Sequence, residues 1–105
     1  MVDTVGAVLV VEISVEPEFE DEFNRWYDEE HVPERLHYPG FLSAQRFHDP
    51  DRPHTYLAIY GLEDRDAALS DWYMSREPSE WTKRIMPHWT SMQRVVWAAL
   101  PTPTG

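Results

Sequence analysis

Cysteine is absent from this chain of 105 residues. That excludes disulfides, thiolate nucleophiles and cysteine-ligated metals. A small chain without disulfides fits the cytosol, and a cytoplasmic protein is expected. Bases are scarce: Lys and Arg number 9 against 19 Asp and Glu, for a net charge of −10. Within residues 1–34 the only base is Arg25, so the acid excess belongs to that segment. A field of this sign repels phosphate, and no basic patch offsets it, so neither nucleic acid nor a membrane is expected as a partner. The apolar run 5–11 is too short to span a bilayer. The one charge before it, Asp3, has the wrong sign for a signal peptide. A Gly-rich phosphate loop, a Gly-x-Ser-x-Gly elbow and a His-Glu-x-x-His motif are all missing, which removes ATP, dinucleotide, serine-hydrolase and zincin readings.

Aromatic residues are abundant: five Trp, five Tyr and four Phe. They rule out intrinsic disorder and exceed what a small core normally needs, which leaves some for a pocket or an interface. The length fits one domain over 1–105, with 101–105 as a frayed tail.

The β-branched apolar run from Ala7 to Ser14 predicts a strand. Pro17 opens a helix whose first turn is crowded with acids, as the helix dipole favours. Phe19, Phe23, Trp26, Tyr27 and Glu30 share one helical face, and Pro33 is expected to break the pattern. Strands follow at 41–48 and 55–62 around a 49–53 loop, then a helix over 64–76, a further turn at 79–86 and a strand over 89–100. The order β-α-β-β-α-β is that of the ferredoxin-like α+β unit, with a four-stranded antiparallel sheet and both helices on one face. Both parities of the strands are apolar: Val8 and Val10 oppose Leu9 and Val11, and Val96 and Ala98 oppose Val95 and Trp97. The face away from the helices needs a cover, and a second copy of the chain is the simplest one. A homodimer with facing sheets is expected.

The segment Trp26-Tyr27-Asp28-Glu29-Glu30-His31-Val32-Pro33-Glu34-Arg35-Leu36, followed by Pro39-Gly40-Phe41, resembles the first-helix signature of the dimeric α/β-barrel superfamily, within it the EthD-like group. Tyr56 to Asp64 and Trp81 to Arg84 are similar to that group's later segments. The resemblance covers most of residues 7–98 and implies a dimeric α/β barrel. It also implies a small, largely apolar ligand between the first helix and the sheet, with the motif histidine, His31, beside it. The superfamily's activities are diverse, so the fold alone does not name a reaction.

His31 lies four residues after Tyr27, so both fit one helical face, and a histidine there suits acid–base chemistry. Glu34, three residues on, is the partner placed to orient the ring. The competing reading makes His31 a cation at the end of an acidic helix. Tyr27 and Trp26 belong to the buried stripe, where Tyr27 has a hydroxyl that needs a partner. Tyr56 and Tyr60 share a strand face and would offer hydroxyls to a ligand. Glu12 and Arg46 are charges in apolar strands; they pair inside the barrel or lie at strand ends in water. His48, His54, Asp49 and Asp51 form a conceivable metal cluster, but turn chemistry explains the acids, and no metal site is expected. His88 stands alone, and His37 belongs to an exposed turn.

Three functions remain open. The first is a small enzyme without cofactor, an isomerase, cyclase or lyase, in which His31 moves a proton on a small apolar or aromatic oxygenated substrate. Tyr27 and Glu34 assist, and Trp26, Tyr56, Tyr60, Glu12 and Arg46 bind. The second is a non-catalytic dimeric module for a small ligand or a protein. The third is haem binding with degradation, for which none of the five histidines has a diagnostic setting.

Overall fold

The computed structural model describes residues 4–101, so the expected tail at 101–105 lies, apart from Pro101, outside the described residues. Four strands, β1 (Ala7–Val15), β2 (Phe41–His48), β3 (Thr55–Leu62) and β4 (Trp89–Ala98), form one antiparallel sheet in the order β2-β3-β1-β4. Helical segments fill the β1–β2 and β3–β4 connections. This is the ferredoxin-like arrangement expected from the order of apolar runs.

The first connection begins with a 3-10 turn (Pro17–Phe19) and continues as α1 (Glu20–Trp26). Glu20, Asp21 and Glu22 occupy the first turn of α1, where the dipole stabilises negative charge. The rod does not end at Pro33. A π-turn (Tyr27–His31) leads into α2 (Val32–Leu36). There the Val32 N–H reaches back five residues to the Tyr27 carbonyl. This re-spacing of the ladder just before Pro33 accommodates a ring that would break a regular helix.

The helix expected over 64–76 is instead two single-turn pieces, α3 (Asp66–Leu69) and α4 (Asp71–Met74). Ser70 between them is extended, and its hydroxyl accepts the Tyr73 N–H as a cap. A serine competes with the helix ladder in this way, so it divides the segment. Ser79 caps α5 (Glu80–Ile85) through the Thr82 N–H. The last strand stops at Ala98, short of Leu100. At the Pro39-Gly40 turn Gly40 has φ +83°, and a Cβ there would lie 2.7 Å from that of Ala67, so this turn requires glycine.

The register sorts the strand residues by face. Leu9 pairs with Tyr60 and Val96, and Tyr60 pairs with Ala44, forming one helix-side row. Phe23, Trp26 and Tyr27 of the rod close over this side, with Leu9, Ile13, Tyr60 and Leu62 buried beneath them. The opposite row contains Ile59, Val10 and Val95. On that open face Trp97 is 59% exposed, Val95 42% and Phe47 41%.

Phe23 is completely buried. Phe23→Ala is expected to cost about 3–5 kcal/mol in urea denaturation. Met74→Ala, at an exposed position, should stay within about 0.5 kcal/mol.

Candidate functional site

The contact between the first helical rod and the sheet organises the polar groups. Trp26 faces the core, and its indole N–H donates to the Thr82 hydroxyl at 3.0 Å. Tyr27, one position on, lies under the guanidinium of Arg46, whose Cζ is 4.3 Å from the ring centroid. Burial pushes the Tyr27 phenol up to about 12, so it is neutral at pH 7. The Tyr60 hydroxyl is fully buried without a well-formed hydrogen bond, and burial raises its pKa as well.

β2 brings Arg46 and His48 to the helix side two residues apart, opposite Ala58 and Tyr56 of β3. The rod supplies Glu20 and Asn24 one turn apart. A continuous hydrogen-bonded chain results. Arg46 donates to Asp28 at 3.0 Å and to the Asn24 carbonyl oxygen at 2.6 Å. The Asn24 amide donates to the Tyr56 hydroxyl at 3.2 Å, and that hydroxyl donates to Glu20 at 2.5 Å. The other Glu20 oxygen lies 3.0 Å from His54 Nδ1. The Tyr56 hydroxyl holds the Glu20 carboxyl below the usual carboxylate range, which keeps it ionised.

A cleft opens along this chain. One half, about 350 Å³, is lined by Asn24, Arg46, Phe47, His48 and Tyr56. The other half, about 450 Å³, lies between α1 and the β2–β3 hairpin, and Glu20, Pro50, Pro53 and His54 join His48 and Tyr56 in lining it. Apolar walls with a few converging polar groups are the general form of a small-molecule site. The Nε atom of Arg46 is buried without a partner of its own.

Of the residues singled out from sequence, the structure brings Tyr56 and Arg46 together at this cleft, with Tyr27 and Tyr60 buried behind them. Trp26 is core. His31 stacks on Trp26, with ring centroids 4.3 Å apart, and meets Tyr27 edge-on at 5.2 Å. It lines neither half of the cleft. Burial, aided by the charges of Arg35 and Arg46, pushes its pKa down to about 3. The helix-end cation is therefore not what the structure shows. Glu34 does not hold the His31 ring: it pairs with Arg35 at 2.7 Å and accepts from the Tyr38 hydroxyl. Glu12 and Arg46 do not pair either. Glu12 is on the open face and meets Arg52 at 3.1 Å, because alternation sends the two charges to opposite faces. Asp49 also meets Arg52, and no metal-holding group of three or more His, Asp or Glu forms among the described residues. Sequence reasoning missed Asn24, Glu20 and the pairing of Glu20 with His54. The available signal was spacing: Glu20 and Asn24 are four apart, and Arg46 and His48 two apart.

The His31 shift has a defined sign. Its ordinary value is 6.5 and its folded value about 3, so between these the unfolded chain binds more protons. Stability therefore rises with pH across that window and is lost as pH falls from 6.5. In His31→Gln this decline should be shallower, by up to about 1.4 kcal/mol per pH unit, in urea midpoints measured against pH. Superimposable profiles would contradict it.

Solved structures share the fold. A monooxygenase from the gene ActVA-Orf6 of Streptomyces coelicolor, determined with the ligand nanaomycin D, matches with TM-score 0.70 at 18% identity, over 96% of this chain and 93% of that one. SnoaB, a cofactor-independent oxygenase from Streptomyces nogalater, matches with TM-score 0.61 at 18% identity, over 91% and 94%. An antibiotic biosynthesis monooxygenase matches with TM-score 0.68 at 20% identity, over 90% and 99%. At these identities the likeness shows the ferredoxin-like fold of such monooxygenases and not their reaction. No curated protein matches the chain in sequence. The family whose profile does match, over residues 7–92, is described as a domain of unknown function (DUF4286), and the chain belongs to it.

Proposed function

We infer that this protein is a cofactor-independent enzyme that moves a proton on a small, largely apolar, oxygenated ring substrate in the cleft between α1 and the β2–β3 hairpin. The observation behind this reading is the convergence of Arg46, Asn24 and Tyr56 on one cleft. A fixed, largely desolvated guanidinium stabilises an oxygen that gains negative charge as a neighbouring proton leaves. Tyr27, buried beneath the guanidinium, supports it from behind. Deprotonation is shared by isomerisation, cyclisation, elimination and oxygenation without a cofactor, so this assignment does not depend on which follows. The fold neighbours support it, since one is a cofactor-independent oxygenase and another holds a small ligand. The Trp26–Leu36 motif, with its resemblance to the EthD-like group, points the same way.

One observation favours a non-catalytic module instead: the motif histidine, His31, is half-buried against Trp26 and Tyr27 rather than at the cleft. A ligand then binds with the same residues and is released unchanged.

The expected test ligand is a hydroxylated carbonyl ring such as 2-hydroxy-1,4-naphthoquinone, followed by tryptophan fluorescence quenching. Arg46→Met should weaken its binding about tenfold or more, the scale of one charge-assisted hydrogen bond. Unchanged affinity would contradict the site.

The open sheet face, with Val8, Val10, Leu57, Ile59, Val95 and Trp97, also supports a homodimer. Light scattering should give twice the chain mass of 12.4 kDa. Trp97→Asp should reduce it to the monomer, because the charge would be buried unpaired between the sheets.

A further inference from the structure

A proton acceptor for this cleft must line it, offer a free ring nitrogen and be held in orientation by a partner. His31 lines neither half. His48 lines both halves, yet no hydrogen bond orients its ring among the described residues. His54 meets all three conditions. Its Nδ1 is 3.0 Å from Glu20, which leaves Nε2 as the unencumbered nitrogen, and its side chain is 37% exposed in the larger half of the cleft. The Glu20 carboxylate is itself fixed, since its second oxygen accepts from the Tyr56 hydroxyl and Tyr56 accepts from Asn24.

The backbone adds an independent observation. His54 has φ +67°, the only positive φ at a non-glycine residue among those described. A histidine in the left-handed region is disfavoured relative to glycine, and such residues persist where surrounding contacts over-determine them. Here the hairpin turn holds a side chain over the cleft at a position where glycine would relieve the backbone.

We propose that His54, oriented by Glu20, is the general base of the cleft. This rests on reading the cleft as an active site. The substrate C–H or O–H bond breaks, and its proton passes to His54 Nε2. The electron pair stays on the substrate as an enolate or phenolate facing Arg46, whose guanidinium lies 5.5 Å from the Tyr56 ring. The imidazolium that forms is balanced by Glu20 through Nδ1. The same proton returns to a different substrate atom in an isomerisation. The substrate class is a small ring whose proton is acidified by an adjacent carbonyl or an equivalent electron-withdrawing group.

The experiment uses 5-nitrobenzisoxazole. Removal of its C3 proton breaks the N–O bond and releases a coloured cyanonitrophenolate, with no other reactant. His54→Gly suits the local φ, and circular dichroism confirms its fold. Its kcat/KM should fall about 10²-fold or more. Added imidazole should restore part of the loss, which a merely structural role would not allow. Glu20→Gln should lower kcat about tenfold with KM little changed. His88→Gln serves as control, since His88 forms the same kind of pair with Glu16, at 2.9 Å, outside the cleft. It should leave turnover unchanged. Full turnover in His54→Gly, or no turnover by the wild type above that of free imidazole, would overturn the proposal. Equilibrium dialysis of the probe separates it from the reading of the site. Binding that Arg46→Met does not weaken sinks the cleft, whereas binding that Arg46→Met weakens, with turnover indifferent to His54→Gly, sinks only the base.

Discussion

The closure of Phe23, Trp26 and Tyr27 over the helix-side rows of β1 and β3 is the contact on which the rest depends. These rings are buried and touch one another edge-on or tilted at 4.9–6.0 Å between centroids. Their bulk anchors the rod to the sheet along β1 and β3. Beyond them, where the hairpin meets α1, polar groups replace apolar rings and the cleft opens. The π-turn belongs to the same solution. It brings Tyr27 and His31 onto the buried side before Pro33, and π-turns of this kind recur at functional sites.

The acid excess of the first segment has a structural counterpart. Acids along the rod and just before it meet arginines and histidines from later elements: Asp28 with Arg46, Glu20 with His54, Glu16 with His88 and Glu22 with Arg84. Exposed pairs of this kind contribute little stability individually. Their consequence is positional, since each fixes where a later element lies against the rod. Arg46 differs from the rest. Its guanidinium is largely desolvated against the rings of Tyr27, Tyr56 and Phe23, so its charge acts at greater strength than a surface arginine's.

The ferredoxin-like order was legible because β1 is a β-branched run, β1, β3 and β4 carry apolar residues on both parities, and glycine, proline or aspartate punctuates the stretches between strands. The break at Ser70 was not legible, because a serine inside a helical pattern reads as a tolerated residue until its hydroxyl is seen capping Tyr73. The run through Pro33 was hidden because a π-turn leaves no sequence mark. At the site, the strand position of Tyr56 was legible, and Arg46 stood out as a charge in an otherwise apolar strand. The Glu20–His54 pair does not, since it joins the start of a helix to the end of a loop, 34 residues apart. His31 misled for a physical reason. Sequence shows a titratable ring on a helix, whereas stacking on Trp26 and burial remove its charge.

The central claim is that a small ring ligand binds between α1 and the β2–β3 hairpin. A ¹⁵N–¹H correlation titration of the full chain with 2-hydroxy-1,4-naphthoquinone tests it most directly. The account predicts saturable shifts grouped at Asn24, Arg46, His48 and Tyr56. Shifts confined to Val10, Ile59 and Trp97 on the open sheet face, or no saturable shifts, would contradict it.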